Sequence, residues 1–114
     1  MRWGIAQLPS EIAPMIELHV CSKKTGSLLK AFALGDSEEV LIGRDDACDI
    51  KIKSRSVSRE HCAIEREGES LVLRDLGSTG GTIRNGEKID RIRLEDGLEV
   101  TIGPAVLKFY ENQI

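Results

Sequence analysis

Arg44, Ser58, Arg59 and Thr79 are the residues of this chain whose types and spacing suggest joint chemistry, the capture of a doubly charged oxyanion. A phosphate monoester carries close to two negative charges at neutral pH and presents several acceptor oxygens. Guanidinium forks, hydroxyls and backbone N–H groups complement it. Arg44 follows Gly43 at the end of an apolar run, and Ser58-Arg59-Glu60-His61 comes after thirteen intervening residues. Ser78-Thr79-Gly80-Gly81 adds a third segment of small donors. Charge-assisted hydrogen bonds contribute about 1.5–3 kcal/mol each, so two or three suffice for micromolar binding. Lys51, Lys53, Arg55 and Arg59 form a basic stretch with no acidic residue between them. Alone it reads as solvated strand and loop charge. The interleaved hydroxyls of Ser54, Ser56 and Ser58 turn that reading toward anion contact.

Segments so far apart in sequence must be brought together by a rigid frame. Ile16, Leu18 and Val20 alternate with Glu17, His19 and Cys21, the period of a half-buried strand. Lys24-Thr25-Gly26-Ser27 is a turn and Leu28 to Leu34 the returning strand. Further short runs cover 40–42, 50–52, 62–65, 71–73, 82–84, 88–89, 98–102 and 106–110, each bounded by Gly, Asp, Asn or Ser. No segment carries a ten-residue helical period. The pattern predicts an all-β sandwich or barrel, with binding residues in loops gathered at one end. Asn85-Gly86 predicts a two-residue hairpin turn, because a type I′ turn needs positive φ at both central residues. At 114 residues the chain is one domain. Residues 1–15 hold two prolines and no periodicity, so they read as a leader, with Trp3 and Ile5 as its candidate docking residues. Residues 16–114 read as the domain.

Gly43-Arg44 followed by Ser58-Arg59-Glu60-His61 resembles the Gly-Arg and Ser-Arg-x-His signature of the forkhead-associated (FHA) domain. Cys48-Asp49-Ile50, Asp75-Leu76-Gly77-Ser78-Thr79, Gly81-Thr82, Asn85-Gly86 and the closing run from Gly97 to Gly103 continue the match, which spans Ile16 to Tyr110. The resemblance implies an eleven-stranded β-sandwich that reads phosphothreonine in partner proteins marked by a Ser/Thr kinase, with the peptide lying across loops at one end. It implies that Arg44 bonds phosphate oxygens, Ser58 donates its hydroxyl and Arg59 adds a second cation. Thr79 would donate a hydroxyl or shape the pocket. His61 would tie neighbouring loops, Gly43 would permit close backbone approach, and Asn85 and Gly86 would hold the hairpin carrying the third loop beside Ser78. A small pocket for the γ-methyl group accounts for the family's preference for phosphothreonine over phosphoserine. The chain departs from the pattern at Gly80, where most members carry an Asn that grips the ligand backbone. Glycine keeps access to a left-handed backbone there, but the amide is lost. The expectation is a weaker or less selective reader, or, as the alternative, a phosphate-independent interaction scaffold with a degenerate pocket.

Other classes fare worse. A formal net charge of −3, with Trp3, Phe32, Phe109 and Tyr110 as the only aromatics, argues against a nucleic-acid platform. No apolar run is long enough to span a membrane and Met1-Arg2-Trp3 opens no signal peptide, so the cytoplasm is the expected location. Cys21, Cys48 and Cys62 match no zinc spacing and cannot all pair, so reduced thiols are expected, with Cys48 and Cys62 filling core volume. His19 and Cys21 share one strand face, too few ligands for a metal site. Ser58, His61 and Asp75 could be drawn as a hydrolytic triad, but nothing resembles a nucleophile elbow. Three residues apart on a strand, Ser58 and His61 would face opposite ways. Arg84, Arg91 and Arg93 read as a solvated edge. The expectation is a non-enzymatic, monomeric binding module without cofactor.

Overall fold

Alternating apolar residues make this chain a series of short, half-buried strands. The computed structural model describes residues 15–35 and 37–112. It comprises β1 (Met15–Ser22), β2 (Leu28–Ala33), β3 (Glu39–Gly43), β4 (Ile50–Lys51), β5 (Cys62–Glu67) and β6 (Ser70–Asp75). Then follow β7 (Ile83–Arg84), β8 (Glu87–Lys88), β9 (Arg91–Arg93), β10 (Glu99–Ile102) and β11 (Ala105–Asn112). Among the described residues there is no helix, as the periodicity predicts. The leader with Trp3 and Ile5 lies outside the described residues, while Met15 opens β1.

Two sheets form the sandwich, ordered β2-β1-β11-β10-β7-β8 and β4-β3-β5-β6-β9. Ala105, Leu107 and Phe109 of β11 are buried, alternating with half-buried Val106 and Lys108. They join Ile42, Ile64 and Leu73 of the facing sheet in one core cluster. Burying an aliphatic or aromatic side chain contributes about 1.5–3 kcal/mol, so this layer fixes the strand ends from which the loops spring. The Asn85-Gly86 turn has φ of 52° and 83°, and Ile83 pairs with Lys88 across it, the hairpin the dipeptide predicts.

Two expectations need correction. Arg91–Arg93 is a strand, β9, held by Val72↔Arg93, Leu73↔Ile92 and Arg74↔Arg91 pairing with β6. With one apolar side chain in three it has no legible alternation. Arg84 stands on β7 in the other sheet; all three arginines are exposed, as a solvated edge requires, and Arg91 is ion-paired with Glu67. Cys21 is buried, although it keeps the alternation of β1 against β11, where His19 pairs with Lys108 and Cys21 with Val106. The register shift between β1 and β2 is taken up in β2, where Leu29 is the extra residue. His19 and Cys21 share one strand face, as expected, but Cys21 is covered on it. His19 bonds Glu17 and packs at a tilt against the Tyr110 ring.

Candidate functional site

The three predicted segments are loops at one end of the sandwich. Arg44 leaves β3, Ser58 and Arg59 lie between β4 and β5, and Thr79 and Gly80 lie between β6 and β7. Backbone bonds join the first two loops: Arg44 N–H donates to Ser58 O at 3.0 Å and Asp45 N–H to Arg59 O at 3.1 Å. Gly43 makes this approach possible. A Cβ there would lie 2.2 Å from the Arg59 carbonyl oxygen and 2.8 Å from its carbon, distances real atoms do not tolerate. The close approach that the resemblance assigns to Gly43 is thus made to the neighbouring loop.

His61 joins the second loop to the third. Its Nδ1 accepts from the Ser58 N–H at 3.1 Å, which leaves Nε2 as the protonated nitrogen, donating to Gly81 O at 2.9 Å. The ring is fully buried. This is the loop-tying role the resemblance implies. The segment is a loop, so the opposite-face argument does not apply. Both ring nitrogens instead engage backbone groups, and neither contacts the Ser58 hydroxyl.

Asp75 organises the third loop. Its carboxylate accepts from Gly77 N–H at 2.9 Å, Ser78 N–H at 3.0 Å, Ser78 Oγ at 2.6 Å and Thr82 Oγ1 at 2.8 Å. Ser78 Oγ in turn accepts from Gly81 N–H at 3.0 Å. Burial acts to raise the Asp75 pKa, but the bonds from Ser78, Thr82 and Gly77 outweigh it and hold the carboxyl below its ordinary value. An Asp bonding the backbone two and three residues on is an Asx turn, a signal legible in Asp75-Leu76-Gly77-Ser78.

These ties surround an open depression of about 540 Å³, lined by Arg44, Ser58, Arg59, Thr79 and Gly80. All five residues expected to contact ligand therefore meet. Arg55 and Glu60 line it too. Arg55 belongs to the basic stretch and brings a third arginine to the site. Lys53 instead pairs with Asp46, so the stretch divides between two environments. Among the described residues no carboxylate lies within ion-pair distance of Arg44, Arg55 or Arg59. Arg44 Nε donates to Val57 O at 3.0 Å, which anchors the guanidinium and leaves its terminal N–H groups for an incoming acceptor. Thr79 N–H donates to Ser58 Oγ at 3.0 Å.

Gly80 does not have the left-handed backbone expected of it; its neighbour Gly81 does, with φ 85°. A Cβ on Gly80 would meet only the Ser56 carbonyl oxygen, at 3.3 Å. Asn85 and Gly86 form the hairpin tip beyond this loop and do not line the depression. Cys48 and Cys62 are buried, as expected; burial pushes the Cys62 thiol up to about 12 and raises that of Cys48.

The FHA-domain family model matches residues 40–103, more than half of the chain. The chain belongs to the FHA-domain family. This FHA chain is 33% identical over 106 residues to the glycogen accumulation regulator GarA of Mycolicibacterium smegmatis, covering 93% of itself and 63% of GarA. It is 39% identical over 74 residues to human proliferation marker protein Ki-67, covering 64% of itself and 2% of that protein. The FHA chain thus spans less than two thirds of either relative. Among solved structures, Mycobacterium tuberculosis EmbR in complex with a low-affinity phosphopeptide superposes with a TM-score of 0.68 at 27% identity, over 82% of this chain and 24% of EmbR.

Proposed function

We propose that this chain is a phosphothreonine-dependent peptide-binding module that joins proteins in Ser/Thr kinase signalling and carries out no catalysis. One observation carries the reading: Arg44, Ser58, Arg59 and Thr79 converge on one open depression with no carboxylate in ion-pair contact with its arginines among the described residues. Unneutralised guanidinium groups beside free hydroxyls suit a dianionic phosphate. Arg44, anchored through Nε, would present its terminal fork to phosphate oxygens. Ser58 would donate its hydroxyl, Arg59 a second cation and Thr79 a second hydroxyl. Gly80 would meet the ligand backbone with no amide to offer. Gly43, His61, Ser78, Asn85 and Gly86 would hold the loops. The phosphopeptide complex of EmbR supports the ligand class.

The ligand would be a protein phosphorylated by a Ser/Thr kinase. Residues 16–114 would form the module, acting as a monomer in the cytoplasm, and residues 1–15 a leader. Among the described residues, no helix is long and apolar enough to cross a membrane. Gly80 favours a second reading, a phosphate-independent scaffold whose pocket has lost its grip on the peptide backbone.

Calorimetric titration with a degenerate phosphothreonine library, its phosphoserine and unphosphorylated counterparts, and Arg44→Ala protein separates the two. Binding confined to phosphothreonine and lost in Arg44→Ala is the expected result. Binding that is equal without phosphate and indifferent to Arg44→Ala would favour the scaffold.

A further inference from the structure

Away from the arginine-lined depression, a second groove of about 320 Å³ runs between β2 and β4. These are the outer strands of the two sheets on one side of the sandwich. Val20, Leu29, Ile50 and Ile52 make its apolar floor and walls, while Lys30, Lys51 and Lys53 stand around it with no acidic lining residue. In a chain of net charge −3 this is a local excess of cations, not a reflection of composition. Lys30 and Lys51 have no ion-pair partner among the described residues.

Of the apolar lining, Leu29 is exposed while Val20, Ile50 and Ile52 are buried. Leu28 and Leu29, at the start of β2, are 55% and 59% exposed, the highest values among large apolar side chains of the described residues. Lys30 pairs with Val20 and Leu28 with Cys21, so Leu29 between them has no partner across the ladder with β1. Edge strands carry backbone N–H and C=O groups that an extended chain can engage. Here two edges border one groove.

We propose that this groove docks an extended segment of a protein partner whose aliphatic side chains are flanked by Asp and Glu. The aliphatic groups would cover Leu29, and the carboxylates would meet Lys30 and Lys51. Charge selects this occupant over a second copy, because lysines lining both edges repel the same edges of another molecule. The groove also adjoins the depression. Ile52 and Lys53 line one, Arg55 to Val57 the other, and Gly103-Pro104 touches both: a Cβ on Gly103 would lie 2.8 Å from Val57 Cγ2, and Pro104 lines the groove. A partner engaged at both sites would gain from the high effective concentration of the second contact.

The test uses a probe without phosphate, so it stands or falls apart from the phosphothreonine reading. A short peptide alternating Leu with Asp and Glu is titrated into the isotope-labelled full chain while amide shifts are followed. Shifts are expected at Leu29, Lys30 and 50–53, with none at Arg44, Ser58 or Thr79. The Lys30→Glu/Lys51→Glu variant should bind the peptide at least about tenfold more weakly. A peptide with Lys in place of the acids should not bind. The proposal is overturned by shifts confined to the arginine-lined depression, by no groove shifts at millimolar peptide, or by unchanged affinity in the double variant. It is equally overturned if groove amides move with protein concentration alone, which marks a second copy, or with Trp3→Ala, which marks the chain's own N-terminal segment.

Discussion

Ser58 Oγ accepts a hydrogen bond from the Thr79 backbone N–H at 3.0 Å, so one atom joins the second and third loops and still has its own proton to give. A serine hydroxyl has one proton and two lone pairs. Using a lone pair inward leaves the O–H to be aimed at an anion in the depression. The same contact makes the hydroxyl both a ligand donor and a loop tie, and substitutions can separate the two.

Ser58→Ala removes both roles, whereas Thr79→Ala keeps the Thr79 N–H and its acceptor. Phosphothreonine-peptide affinity should fall about tenfold or more in Ser58→Ala and about severalfold in Thr79→Ala. Hydrogen exchange at the Thr79 amide should accelerate only in Ser58→Ala. Equal exchange in both variants would show that the bond does not order the loop.

Gly80→Asn should strengthen phosphopeptide binding. Gly80 lies outside the left-handed region, and its nearest obstacle is the Ser56 carbonyl oxygen at 3.3 Å, so the backbone accepts a side chain with a small local shift. One added hydrogen bond contributes about 0.5–1.5 kcal/mol, a severalfold to tenfold gain. Calorimetry on the same peptide that shows no gain would refute this account of Gly80.

Gly43→Ala should lower stability by about 1–3 kcal/mol or more, since the new methyl group overlaps the Arg59 carbonyl. Displacing that carbonyl strains the Asp45 N–H bond and moves Arg59, so peptide affinity should drop as well. Urea unfolding and titration of the same preparation would reveal both losses. A wild-type midpoint would contradict the contact.

Asp75 gives the fold an acid limit. Its folded pKa is depressed from the ordinary 3.8, so its bonds stabilise the fold above that value, and the contribution is lost as pH falls through the folded value. Stability should therefore decline below about pH 3.8 as the carboxylate takes up its proton. Asp75→Asn should be less stable at neutral pH and show a flatter acid limb, measured as urea midpoints between about pH 2 and 6. Parallel curves for the two proteins would remove Asp75 from the explanation.

The Asn85-Gly86 turn, the alternation in β11 and the joint motif from Gly43 to Thr82 could be read directly, because each rests on local chemistry. Strand period, turn φ and donor type belong to single residues or near neighbours. β9 could not be read, since its place is decided by pairing with Leu73 and not by its own side chains. Nor could the burial of Cys21, which shares a face of β1 with half-buried His19.

The sequence by itself determined an all-β chain of short strands and the identity of the donors, Arg44, Ser58, Arg59 and Thr79. Only the tertiary structure decided that they share one depression with Arg55, that His61 binds backbone on both sides, and that Gly80 is not left-handed. The physical reason is distance along the chain. Loop convergence depends on core packing between sheets and on contacts such as Gly43 with the Arg59 carbonyl, which no local pattern encodes.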